Sequence, residues 1–190
     1  MKLTKRTIAE GGLHLLAQGG LENLSTRKLA DHFGIKSASL YYHFRNKQQL
    51  LDHVADVMVS PAWREAQGGE TWQAWLTRLA HALRGCMLSY PDGALLYAGA
   101  SPPSDLLDER LDLLFRPTMA AGLSKPNTRY ALLTVIRFTI GWAIDEQTAH
   151  ARGADRPPEK STQDFDVGLH ILVSGIEVLF AEQAIETPLS

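Results

Sequence analysis

At 190 residues, with a formal net charge of −2 and 45% hydrophobic residues, the chain has the make-up of a globular protein, large enough for one sizeable core or for a small domain joined to a larger one. No apolar run approaches the roughly eighteen residues that a membrane span needs, and the first residues, MKLTKRTIAEGG, lack the apolar core of a secretion signal. A single cysteine, Cys86, excludes an intrachain disulfide and suits a reducing cytoplasm.

The predicted elements are helices throughout, with no strand alternation and no internal repeat. Thr4 predicts the cap of a helix over residues 5–18, with Ile8, Leu15 and Leu16 on one side, ended by Gly19-Gly20. Ser25 predicts the cap of a second helix over 26–33, with Leu24 and Leu29 at the two positions of a hydrophobic staple. Gly34 stands where a left-handed residue stops that helix. Ser37 predicts the cap of a third helix over 38–44. Asn46 predicts the cap of a fourth from 47, with Gln49 completing a capping-box pattern. The fourth runs to 60, where Pro61 disturbs it, and Gln67-Gly68-Gly69 is the next break. Longer segments follow: 71–90, ended by Pro91-Asp92-Gly93; a short one over 94–99; 104–121, closed by Gly122; and 128–151. Residues 153–161, GADRPPEKS, read as an exposed loop before the last helix, 162–186.

Charge is unevenly spread. Residues 1–47 hold eight Lys or Arg against three acids, a net of +5, which leaves −7 on the remainder. A basic head on an acidic body points to a polyanion partner for the head alone, although a solvated charged face gives the same pattern. Within this head, "IKSASLYYHFRNK" crowds aromatics among cations. On a helical wheel Leu40 and Phe44 share one face and form a small core with Ile35 and Leu29. Ser37, Ala38, Tyr41 and Tyr42 then point away, flanked by Lys36, Arg45 and Lys47. Small side chains and hydroxyls on a short exposed helix fit a major groove. Two short helices joined by a Gly-containing turn make a helix-turn-helix.

At this point "LSTRKLADHFGIKSASLYYHFRNKQQLLD" resembles the DNA-binding domain of TetR-type transcriptional regulators, over residues 3–59. The run T-R-K-L-A, F-G-I, L-Y-Y-H-F, N-K and L-L is specific as a set. More faintly, "GETWQAWLTRLAHALR", "YPDGALLYAG", "RFTIGWAIDEQ" and the final apolar helix are similar to the C-terminal domain of the tetracycline repressor subgroup. The resemblance implies an all-α homodimer. Each subunit has a three-helix DNA-binding domain with the helix-turn-helix at 1–46, and a larger helical ligand-binding and dimerisation domain at 47–190. Helix 47–60 is the connector. The implied partners are a double-stranded DNA operator, a second copy of the chain and a small-molecule effector.

Carried over by position, Arg27, Lys28, Ser37, Ala38, Ser39, Tyr41, Tyr42, His43 and Lys47 are the implied DNA contacts. Arg27 reaches a base or clamps a phosphate. Lys47, at a helix N-terminus, places a cation and backbone N–H groups near one phosphate. Tyr41 meets backbone rather than base, and His43 does the same or fills space beside Phe44. Ser37 is a short hydroxyl where the tetracycline repressors carry a longer amide, so a different operator is expected.

In the tetracycline site the resemblance thins. Leu79 stands for an amide, Tyr97 for a metal-binding histidine, Ala100 and Ser101 for a threonine and an arginine, and Leu113 for another amide. Asp145 keeps a carboxylate. One carboxylate without its histidine is poor magnesium ligation, because magnesium wants about six oxygens including waters. No metal and no cofactor are expected. What remains is apolar and aromatic, namely Trp63, Trp75, Leu79, Leu83, Met87, Tyr97, Leu113, Phe138 and Trp142. Tyr97, Ser101, Arg137 and Asp145 supply orienting bonds. Pockets of that kind take flat or hydrophobic molecules, although each of these residues singly also reads as ordinary core.

Helices 162–186 and 128–151 are apolar around most of their wheels. A helix apolar on two sides needs two partners, one of them a second subunit, with Ile176 in the expected interface and Gly141, Gly168 and Gly175 permitting close approach. An enzyme is not expected. Cys86 and His81 are five apart on a helix, a poor alignment, and the seven histidines show no metalloprotease or paired-cysteine spacing. The alternative is a DNA-binding regulator without a small-molecule effector, controlled by a protein partner.

Overall fold

The computed structural model describes residues 3–101, 103, 107–153 and 157–186. Every regular element among them is helical: α1 (Lys5–Asn23), α2 (Thr26–Phe33), α3 (Ser37–Leu40), α4 (Lys47–Val59), α5 (Trp72–Leu88), α6 (Gly93–Ala98), α7 (Leu107–Ala120), α8 (Lys125–Ala151) and α9 (Pro158–Glu186), with a 3-10 turn at Ser60–Ala62. The chain forms two compact units. One comprises Met1–Ala62 with Leu83–Asp108, the other Trp63–Ala82 with Glu109–Ser190. Helix α4, expected to open the second domain, lies in the first unit. The expected boundary at 46/47 concerns DNA reading rather than packing and stays a proposal.

In the first unit α1 packs on α2, α4 and α6, and α4 packs on α6. The apolar stripe of each helix supplies the core: Ile8, Leu16, Leu24, Leu29, Leu40, Leu50, Val54 and Met58 are all buried. Burying such a side chain contributes about 1.5–3 kcal/mol. Leu24 and Leu29, the expected staple pair, are both in this core.

Several boundaries differ from expectation. Helix α1 does not end at Gly19-Gly20 but bends there and resumes to Asn23; Gly20 sits at φ 63°, open only to glycine without strain. Helix α3 is four residues long rather than seven, and 41–43 continue as a turn with His43 N–H donating to Leu40 O at 3.0 Å. Ser37 is its first residue and not its cap; Lys36 holds that position without a side-chain bond. Helix α8 starts at Lys125, capped by Ser124, whose Oγ accepts from Asn127 N–H at 3.4 Å. Pro126 is tolerated there because the first-turn N–H has no intrahelical partner to lose. For the same reason α9 starts at Pro158, inside the segment expected to be loop.

In the second unit α8 packs on α9. Phe165, Leu169, Val173 and Ile176 form the buried face of α9. Ile176, expected between subunits, is 7% exposed and belongs to the chain's own core. The outward apolar residues are instead Val167, Ile171, Val178 and Leu179, with Ile171 67% exposed. Gly168 lets Phe138 come close; a Cβ there would stand 2.9 Å from Phe138 Cζ. Gly141 and Gly175 have nothing within 4 Å and face outward. No described helix is long and apolar enough to cross a membrane.

Candidate nucleic-acid interface and effector residues

The helix-turn-helix is fixed at each end of α2. Ser25 Oγ accepts from Lys28 N–H at 3.2 Å, satisfying a first-turn donor. At the other end Gly34 adopts φ 65°, ψ 32°, and Ile35 N–H reaches back to Ala30 O at 3.0 Å. Lys36 then runs extended into α3. The inner side of α3 and its following turn is anchored by Leu40 and Phe44, both buried. Ile35 is only half-buried. Phe44 meets the His53 ring of α4 edge-to-face at 5.2 Å, and His53 Nδ1 is 2.8 Å from Gln49 O. Helix α4 begins as the sequence implies: Asn46 Oδ1 accepts from Gln49 N–H at 2.8 Å. Gln49 Oε1 accepts from Arg45 N–H at 2.7 Å, one residue before the cap.

On the outer side the candidates separate by exposure. Tyr41 is 54% and Tyr42 90% exposed. An aromatic ring so exposed has almost no packing role within its own chain. Ala38, Lys36, Arg45, Lys47, Arg27 and Lys28 are also exposed, while Ser37, Ser39 and His43 are half-buried. Lys28 Nζ donates to Asn23 Oδ1, so Lys28 is partly held by the chain itself. The result is a set of exposed cations and two exposed tyrosines carried on α2, α3, the turn after it and the start of α4.

The effector candidates are divided between the units. Leu83 and Met87 are fully buried in the first, where Tyr97 is half-buried and Ser101 exposed. The segment after α6 is tethered to α4. Gln48 Nε2 donates to Gly99 O at 2.9 Å, and Ser101 N–H donates to Asp52 Oδ1 at 3.0 Å. Neither Gln48 nor Asp52 was legible as a site residue, because a polar i, i+4 pair on a helix names no distant partner.

In the second unit Trp75 and Leu79 are buried, and Trp63, Leu113, Phe138 and Trp142 are half-buried. Phe138 and Trp142 lie together against Phe165, with ring centroids at 5.5 and 5.8 Å from it. Phe165 was expected only as part of an interface helix. Arg137 and Asp145 are not brought to this cluster. They lie with Gly141 on the exposed stripe of α8. The same unit holds an open cleft of about 420 Å³ between α5 and α9, where His81 Nε2 meets Asp166 Oδ1 at 3.1 Å and Gln73 donates to Glu177 at 2.7 Å. Its polar groups largely answer one another.

Among the described residues no three His, Cys, Asp or Glu side chains are grouped to hold a metal ion. Burial pushes the Cys86 thiol above its usual pKa, which leaves little thiolate for nucleophilic chemistry. His81 faces Asp166 and the edge of Phe165.

Residues 8–54 match the family model described as bacterial regulatory proteins, tetR family, and residues 65–164 match the tetracyclin repressor-like C-terminal domain. The chain is 30% identical over 181 residues to the class C tetracycline repressor protein of Escherichia coli, covering 94% of this chain and 82% of that protein. Among solved structures, a TetR variant from Acinetobacter baumannii AYE in complex with minocycline superposes with TM-score 0.81 at 31% identity, covering 94% of this chain and 98% of that one. BioQ with its double-stranded DNA operator superposes with TM-score 0.73 at 31% identity, covering 92% and 98%.

Proposed function

The chain belongs to the TetR family of bacterial regulatory proteins, and from that premise we propose that it is a homodimeric repressor, released from a palindromic operator by a small hydrophobic or aromatic effector without a metal. The observation that carries the DNA-binding part is the surface around Tyr41 and Tyr42. Two exposed tyrosines, on a chain segment flanked by the exposed Lys36, Arg45 and Lys47, belong to a helix-turn-helix anchored inward by Leu40 and Phe44. The operator-bound BioQ structure supports the same use of this fold.

A dimer supports the reading because a palindrome presents two half-sites, and two recognition elements must stand roughly 34–36 Å apart to meet them. The apolar outward face of α9, with Val167, Ile171, Val178 and Leu179, favours a second copy as its cover. The minocycline-bound relative supports an aromatic effector, while Tyr97 in place of a metal-binding histidine, with only the Asp145 carboxylate kept, favours one that brings no ion.

Release follows from the tethers on α4. Tyr97 and Ser101 belong to the segment that Gln48 and Asp52 hold. An effector that prefers one position of that segment biases α4, and with it the spacing of the heads. A hundredfold release needs about 2.7 kcal/mol of coupling.

The test is selection of bound duplexes from a random library, followed by salt and ligand titrations. The expected result is a palindromic consensus and a steep fall of affinity with salt, because phosphate contacts release counterions. Equal affinity for every duplex overturns the reading. Operator binding with no stabilising small molecule in a thermal-shift screen turns it toward control by a protein partner.

A further inference from the structure

The second unit contains two indole donors that its own fold does not satisfy. The Nε1 atoms of Trp63 and Trp142 are buried, and neither has a hydrogen-bond partner among the described residues. Trp75 in the same unit makes the contrast. It is buried to 1% exposure, yet its indole N–H donates to Arg64 O at 3.4 Å. Packing here can therefore supply an acceptor to an indole, and at Trp63 and Trp142 it does not. A buried N–H left unpaired is costly, so each calls for an acceptor from outside the described fold; Thr128 Oγ1 in the same unit is likewise unpartnered, but only the two indoles stand among the effector candidates.

An indole can only donate. Whatever completes these two groups must present acceptor atoms, and the surroundings define the rest of it. Trp142 sits in an aromatic cluster, 5.5 Å from Phe138 and 5.8 Å from Phe165. The ring face of Trp63 is covered by the Arg110 guanidinium at 5.0 Å. Resting on the effector-controlled reading above, we infer that Trp63 and Trp142 are hydrogen-bond donors to the effector. That effector is then a planar aromatic molecule with at least one ring carbonyl, phenolate or carboxylate oxygen. A bare hydrocarbon or an aromatic amine is disfavoured, because neither offers an acceptor oxygen.

The experiment uses the full chain free of DNA and a matched pair of probes, 9-fluorenone and fluorene. They share one tricyclic frame, and only the ketone carries an acceptor oxygen. Fluorenone is expected to bind about three- to thirtyfold more tightly than fluorene. In Trp63→Phe/Trp142→Phe, which keeps aromatic area but removes both donors, the two probes are expected to bind equally. Comparing two probes on one variant cancels any general loss of stability. In the parent protein, the indole N–H resonances assigned to Trp63 and Trp142 should move downfield with fluorenone and not with fluorene. Equal affinity for the two probes in the parent overturns the inference, as does binding of neither. Persistence of the fluorenone preference in the double variant also overturns it. Operator binding is not a readout here, so such a failure leaves the DNA-binding reading standing.

Discussion

Asp92 Oδ2 accepts the backbone N–H of Leu21 at 2.9 Å, across 71 residues of sequence. The bend at Gly19-Gly20 frees that donor from the α1 ladder, and Asp92, itself left-handed at φ 57°, returns an acceptor to it from the turn before α6. A side chain on Gly20 would stand 2.1 Å from the same carboxylate oxygen. The bend, the glycine and the aspartate are one device that locks α6 to α1.

Asp92→Ala is therefore expected to destabilise the protein by about 1–3 kcal/mol, because it leaves a part-buried donor unpaired. Asp92→Asn retains an acceptor and should cost less. Urea unfolding of the two variants checks this, and equal losses would remove the hydrogen bond as the cause.

Arg27→Ala, Tyr41→Ala and Tyr42→Ala should each weaken operator binding by about 1–3 kcal/mol while melting like the parent, since all three side chains are exposed. Gel-shift titration on the selected duplex measures it. Parental affinity in all three would mean that this face does not meet DNA.

Ile171 and Ile176 separate the two sides of α9. Ile171→Asp changes a residue 67% exposed and should yield a folded chain that sediments as a monomer. Ile176→Asp puts a charge on a residue 7% exposed and should unfold the second unit. Analytical ultracentrifugation with melting curves distinguishes them. A dimer that survives Ile171→Asp would place the interface elsewhere.

Cutting the tethers should separate binding from release. In Gln48→Ala/Asp52→Ala the bonds to Gly99 O and Ser101 N–H are lost. A ligand found by thermal shift should still bind, but its effect on operator affinity should fall by about tenfold or more. Full release in this double variant would contradict the proposed route through α4.

Glu70 gives a pH signature. The side-chain hydrogen bonds from Arg78, at 2.7 Å on each oxygen, lower its carboxyl from 4.5 to about 2, with a further contribution from Gln67 N–H. A depressed carboxylate stabilises the fold fully above its ordinary value and loses that contribution as pH falls toward about 2. The stability difference between the parent and Glu70→Gln should thus be largest near neutrality and shrink by about pH 3. Denaturant midpoints at the two pH values test it, and a difference that grows on acidification would reverse the sign and refute the argument.

The helices of the DNA-reading head were legible because their signals are local. Ser25, Gly34 and Asn46 act on backbone groups within a few residues, and the Leu29, Leu40 and Phe44 face follows from helical spacing alone. The same locality explains the misses. Gly19-Gly20 reads as a stop to any local rule, and only Asp92, from a turn far along the chain, decides that the backbone bends and continues. Pro158 lies in a segment that reads as loop until the structure puts it in a first turn, where no hydrogen bond is lost, as it does Pro126. Sequence also established that α8 and α9 have apolar residues on two sides, but could not divide them. Which side of α9 is inner depends on where Phe138 and Trp142 of α8 meet Phe165 and Gly168, a matter of packing between segments. So too with the effector residues: composition named the tryptophans, but whether an indole has an acceptor is decided by three-dimensional neighbours, which gave one to Trp75 and none to Trp63 or Trp142.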